Sequence, residues 1–173
     1  SQAMKRRRKV TLVDKANVLP SMVFFRSVFD EVAEGFPGVE TERLYVDAAA
    51  LYLVQRPNSF DVLVTENMFG DILSDLGAAL VGGMGMAPSG DIGEKSAVFQ
   101  PSHGSAPDIA GKEIANPTAM ILSVGMMLDW LGVEQGAKMV RRAVRRAFEN
   151  PEHRTADLGG TLKTEQMTDC VLQ

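Results

Sequence analysis

At 173 residues, 45% apolar and 23% charged, the chain has the composition of a globular protein, with room for one large domain or two small lobes. A net charge of −4 argues against a general nucleic-acid binder, which needs a positive surface, and suits a protein that holds a divalent cation among carboxylates. No run of about 18 apolar residues occurs, so no membrane span is expected; the single cysteine, Cys170, excludes an intrachain disulfide and fits a reducing cytoplasm.

Ser1 to Ala3, ahead of Met4, read as a leader left from expression, and residues 1–8 together as a tag and basic lead-in. The basic run from Lys5 to Lys9 lacks the apolar middle of a secretory signal and is expected to solvate the entrance of the next strand. Val10-Thr11-Leu12-Val13 is a short β-branched run, a buried strand ending at Asp14-Lys15. Pro20 suits the first turn of a helix. Along that helix Met22, Phe25, Phe29 and Val32 recur at helical spacing, with Phe24 and Val28 widening the stripe. Gly35, Pro37 and Gly38 break it. A strand over about 40–46 leads into Asp47 and an alanine-rich helix through Val54, and residues 61–65 read as a further parallel-type strand.

Helical periodicity returns over 69–81, with Phe69, Ile72, Leu73, Leu76 and Leu80 on one side. The glycine-dense stretch 82–93 reads as a loop or lobe boundary, residues 97–100 as a short strand and 103–117 as a long polar loop. Helices are expected over 118–131 and 134–149, then a turn at 155–160 and a closing helix. In the 134–149 helix Arg141, Arg142, Arg145 and Arg146 face outward, as a solvated face or an anion site. Strands alternating with helices define an α/β class, with residues 9–81 and 82–173 as its two parts.

Three places carry candidate chemistry. Asp71 and Asp75 lie at i and i+4, so both carboxylates project from one helix face, where like charges repel unless a cation lies between them. An acidic turn on a surface helix is the alternative. Oxygen ligands suit Mg²⁺ or Mn²⁺, which complete their shells with substrate and water. Asp47 stands at a strand-to-helix junction, as a third ligand or as a helix cap. Lys15, at a strand end beside Asp14, is either a surface ion-pair partner or, near a metal, a general base. His103-Gly104-Ser105-Ala106-Pro107-Asp108, followed by Gly111 and Asn116-Pro117, lets backbone approach a ligand, and an acid there can pair with ribose hydroxyls. No G-x-G-x-x-G follows a strand, so a Rossmann site is disfavoured.

Together, Val13-Asp14-Lys15-Ala16-Asn17-Val18-Leu19, Tyr45-Val46-Asp47, the segment 65–75 and the segment 103–117 resemble the β-decarboxylating dehydrogenases, the family of isocitrate and 3-isopropylmalate dehydrogenases. The resemblance implies that family's α/β fold, which is not a Rossmann fold, here incomplete because the N-terminal half is absent. It implies NAD-linked oxidation of a 2-hydroxy diacid, followed by metal-assisted loss of carbon dioxide. Asp47, Asp71 and Asp75 match the carboxylates that hold Mg²⁺ or Mn²⁺, and Lys15 matches the lysine that helps remove the hydroxyl proton. Asn17 matches an asparagine near the nicotinamide. His103, Gly104, Ser105, Ala106 and Asn116 match the loop around the adenosine half, and Asp108 matches the acid that accepts the ribose hydroxyls. A 2′-phosphate would meet a like charge at Asp108, which favours NAD over NADP.

The resemblance also implies a homodimer in which Lys15 and Asp47 serve the partner's site, with the helices over 20–34 and 69–81 as candidates for its interface. Residues 9–81 then belong to the metal-binding and dimerisation part, and 82–173 to the NAD-binding part. Asp14 before the lysine resembles the isopropylmalate enzymes. Gly82-Gly83-Met84-Gly85 and Asp157-Leu158-Gly159-Gly160 look more like NAD-linked isocitrate enzymes. Isopropylmalate is the expected substrate, against isocitrate, homoisocitrate, D-malate or tartrate. Gln100 and Ser102 depart from the Glu and Val common before the histidine in isopropylmalate enzymes. Without the other half, this chain alone is expected to turn over little or nothing, as a fragment or a catalytically silent dimerising module.

Overall fold

Three parallel strands in the order β2-β1-β3 organise the first part of the chain: β1 (Lys9–Asp14) in the centre, β2 (Glu40–Tyr45) and β3 (Val62–Val64) on its flanks. The computed structural model describes residues 2–173 and divides into two compact units, the first reaching Gly77 and the second Ala78–Gln173. The sequence reading placed the break after residue 81. Thr11, Leu12, Val13 and Asp14 are all fully buried, as a central parallel strand with both faces covered requires.

Helix α1 (Pro20–Glu34) follows β1, with Pro20 at its start, where the missing N–H costs nothing. Helix α2 (Val46–Gln55) starts at the end of β2, and α3 (Asn67–Leu80) follows β3. The Glu66 carboxylate caps α3 by accepting the Met68 and Phe69 N–H groups at 2.9 and 2.7 Å. Val13, Ala49, Leu53, Phe60 and Leu73 form the core of this unit. Helix α1 contributes no buried residue: Phe24, Val28 and Val32 are exposed, and a cavity of about 300 Å³ separates its inner side, at Phe25 and Phe29, from Val10 and Val64.

The lead-in departs from expectation. Residues Gln2–Lys5 form a 3-10 turn with Ala3 buried. The Arg6 guanidinium and the Arg7 backbone N–H donate to Asp61 at 2.8 and 2.9 Å. The Asp61 side chain is only 1% exposed and is held below the usual carboxylate pKa range, chiefly by Arg6. Arg6 and Arg7 are therefore tied into the fold through Asp61, beyond solvating the strand's entrance.

In the second unit, β4 (Pro88–Ile92) and β5 (Ala97–Pro101) make an antiparallel hairpin, where the sequence reading had a loop over 82–93 followed by a short strand. Glycine density concealed β4. Gly90 faces Phe99, and a Cβ at position 90 would stand 3.0 Å from that ring, so the glycine lets the aromatic lie against backbone. Helices α4 (Thr118–Trp130), α5 (Glu134–Ala147) and α6 (Thr164–Leu172) complete the unit around Val144, Ala147, Met167 and Val171. On the outer face of α5, Arg141 is bound to Asp129 at 2.7 Å, while Arg142, Arg145 and Arg146 are exposed. Among the described residues no helix is long and apolar enough to cross a membrane.

Candidate functional site

The C-terminal end of β1 and the start of α2 bring together Lys15 and Asp47, whose Nζ and Oδ1 lie 2.5 Å apart. Register explains the meeting: Asp14 pairs with Tyr45 across the parallel ladder, so the residues just beyond each strand emerge side by side. Asp47 lies in the first turn of α2 and does not cap it; Tyr45 is the cap residue and makes no side-chain capping bond. The Lys15 ammonium, and after it the backbone N–H of Asp47 itself, holds the Asp47 carboxyl below its usual pKa. Asn17 sits in the exposed turn two residues beyond Lys15.

Asp71 and Asp75 project together from the exposed side of α3, while Leu73 on the other side enters the core. Asn67 Nδ2 donates to Asp71 at 3.3 Å. Among the described residues neither carboxylate is ion-paired, and no three metal-binding side chains converge within one chain. Asp47 therefore stands with Lys15, apart from the α3 pair. Two uncompensated carboxylates at i and i+4 are an oxygen donor set that fits a hard divalent cation.

In the second unit, Gly104, Ser105, Ala106 and Asp108 are exposed along one loop, and a Cβ at Gly104 would meet open space. Ala106 holds a left-handed backbone, φ 45°, a conformation that costs a non-glycine residue energy and concentrates in binding loops. His103 Nδ1 donates to the Gly104 carbonyl at 2.8 Å. Asn116 differs from its neighbours in being buried. Its Oδ1 accepts the Thr118 N–H at 3.0 Å, and its Nδ2 donates to Asp157 at 3.1 Å. Asp157 in turn accepts the Thr155 hydroxyl. A Cβ at Gly85 would fall 2.6 Å from Asp157 Oδ2 and 2.9 Å from Asn116 Cβ. The two glycine-bearing segments singled out in the sequence thus meet at the Asn116 amide. The segment thus combines an exposed loop of small residues with a buried amide held by two hydrogen bonds.

Sequence reasoning missed Arg26 and gave Tyr45 no role of its own. No motif marks Arg26, because its partner Asp14 lies 12 residues away across a strand, a turn and a helix. Asp157 was noticed only as part of a glycine-rich string.

The chain matches the model of the isocitrate/isopropylmalate dehydrogenase family over residues 1–171. It is 54% identical over 168 residues to an isocitrate/homoisocitrate dehydrogenase of Thermus thermophilus, covering 96% of this chain and 50% of that protein. It is 52% identical over 164 residues to a 3-isopropylmalate dehydrogenase of Archaeoglobus fulgidus, covering 94% and 50%. Its fold superposes on isocitrate dehydrogenase from Methylococcus capsulatus with a TM-score of 0.93 at 44% identity, over 99% of this chain and 51% of the other. The chain thus spans about half the length of the relatives it matches, and by the family match, the sequence identities and the shared fold it belongs to the isocitrate/isopropylmalate dehydrogenase family.

Proposed function

We propose that this chain supplies the metal-binding and NAD-binding half of a dehydrogenase that oxidises and decarboxylates a 2-hydroxy diacid, with 3-isopropylmalate as its substrate. The observation that carries this reading is the division of charge in the first unit: Lys15 and Asp47 are paired, whereas Asp71 and Asp75 have no cation of their own among the described residues. Asp71 and Asp75 would hold Mg²⁺ or Mn²⁺, and a second copy of the chain would present its own Lys15 and Asp47 to them. Exposed Met68 and Ile72 on α3, and Phe24, Val28 and Val32 on α1, offer the apolar surface such a homodimer would cover.

A divalent cation held by Asp71 and Asp75 would supply Lewis-acid polarisation of the substrate, and NAD would supply the hydride acceptor. Lys15, as the neutral amine, would take the hydroxyl proton and become the ammonium, which Asp47 beside it stabilises. By the resemblance, Asn17 would serve the nicotinamide end. By the same resemblance, His103, Gly104, Ser105 and Ala106 would line the adenosine half, and Asp108 would accept hydrogen bonds from the ribose hydroxyls. Asp14, ahead of the lysine, supports isopropylmalate over isocitrate. The compartment proposed is the cytoplasm, consistent with one unpaired cysteine.

Calorimetric titration with Mn²⁺ tests the metal reading: the chain is expected to bind, and equal affinity in Asp71→Ala would sink the assignment. NADH formation with Mn²⁺ and a panel of isopropylmalate, isocitrate, homoisocitrate, D-malate and tartrate tests the substrate. The rate is expected to be far below that of a complete enzyme and highest with isopropylmalate. A preference for isocitrate would overturn the substrate choice. Binding of Mn²⁺ with silence across the panel would leave a binding and dimerising module.

A further inference from the structure

We propose that Asp14 and Arg26 are positioning residues that aim Lys15 at Asp47, an inference that rests on Lys15 as the proton-handling group. Asp14 is fully buried at the last position of β1. Its carboxylate takes a two-pronged grip from Arg26 on α1, Nε to Oδ2 and Nη2 to Oδ1, each at 2.8 Å. Oδ1 also accepts the Ala16 backbone N–H at 2.9 Å. That last bond reaches across Lys15, so the residue is pinned on both sides by one carboxylate. The Lys15 carbonyl accepts the Val18 and Leu19 N–H groups at 3.0 and 2.9 Å, closing the turn on its other edge.

The side chain is steered as well. The Arg26 guanidinium lies 5.4 Å from the centre of the Tyr45 ring, and the Lys15 ammonium lies 6.0 Å from the same ring. Tyr45 therefore lies beside both cations, and Asp47 follows two residues later. The strong Asp14 hydrogen bonds, opposed by partial burial, raise the Arg26 pKa further above its ordinary value, so the fork stays charged.

A buried ion pair is a poor device for stability alone, because two well-packed apolar residues usually do as well or better. Its advantage is directional: a guanidinium fork fixes the carboxylate plane, and the plane fixes the Ala16 N–H. Retaining the pair at the root of the Lys15 turn serves geometry.

The test reads the Lys15 ammonium directly by ¹H–¹⁵N NMR of the lysine side chains. The signal is assigned by its loss in Lys15→Arg, and its unpaired position is defined by Asp47→Asn. The double variant Asp14→Leu with Arg26→Met removes the fork while supplying apolar bulk. The expected result is a folded chain, with backbone amide shifts unchanged beyond the β1–α1 region, in which the Lys15 signal collapses onto its unpaired position. A folded double variant whose Lys15 signal keeps its wild-type shift and line width would overturn the proposal. Arg26→Lys keeps the charge without the fork, so it carries the same test if the double variant unfolds. There the Lys15 signal is expected to move at least halfway, and no movement counts against positioning. Neither cation nor NAD enters this measurement, so its failure overturns the positioning role alone. Failure of the dehydrogenase reading appears instead as Mn²⁺ binding indifferent to Asp71.

Discussion

Asp47 and Asp71 are both exposed aspartates near the starts of consecutive helices, α2 and α3, yet they stand in opposite electrostatic situations. Asp47 has Lys15 at 2.5 Å from its own chain. Asp71 has Asp75 one turn away and no ionic partner among the described residues. A carboxylate beside a lysine is complete as it stands, whereas two carboxylates on one helix face create a demand for positive charge. The difference is what the proposed cation site at Asp71 and Asp75 rests on.

The largest effect expected from breaking this contrast is on metal affinity. Asp71→Ala should weaken Mn²⁺ binding by more than the roughly 10- to 100-fold typical of losing a supporting group, while Asp47→Ala costs less. Equal losses in calorimetric titration would erase the distinction between the two aspartates.

The next effect concerns the opposite side of the same helix. Leu73→Ala should destabilise the first unit by about 2–5 kcal/mol in urea unfolding, since Leu73 is one of the five buried core residues. Asp71→Ala should leave the midpoint unchanged or raise it slightly, as a like-charge pair at this spacing costs only about 0.2–0.5 kcal/mol. A large loss of stability in Asp71→Ala would mean that its side chain is structural.

The smallest effect is in acid. Because Lys15 lowers the pKa of Asp47 from its ordinary value of 3.8, the pair contributes stability above that pH. The contribution is lost as the pH falls through the lowered, folded-state value. The stability gap between wild type and Asp47→Asn should therefore be present at neutral pH and close below about 3.8. A gap that persists unchanged in strong acid would show that the substituted amide perturbs the helix start rather than the charge pair.

Much of this was legible in the sequence because it is local. The i, i+4 spacing of Asp71 and Asp75 needs only a helix, and the strand reading at Val10 to Val13 needs only a β-branched run. Lys15 and Asp47 were separately visible as strand-end and helix-start residues, but their distance depended on parallel register, which no single segment encodes. Strand β4 was lost because glycine usually signals a loop, while Gly90 serves the ring of a residue on the neighbouring strand. The Asp14–Arg26 fork and the Asn116–Asp157 bond were invisible for the same reason: each joins segments that only the fold brings together.

The meeting of Gly85, Asn116 and Asp157 has a consequence for how this loop can change over evolutionary time. The Asn116 amide is already spent on Thr118 and Asp157, and any side chain at position 85 would collide with both Asp157 and Asn116. Substitutions at these three positions should be strongly non-additive, since each alters the space or the hydrogen bond on which the others depend. A lineage, or an engineer, altering this packing has to move the three as a set, whereas the exposed loop from Gly104 to Asp108 can vary one residue at a time.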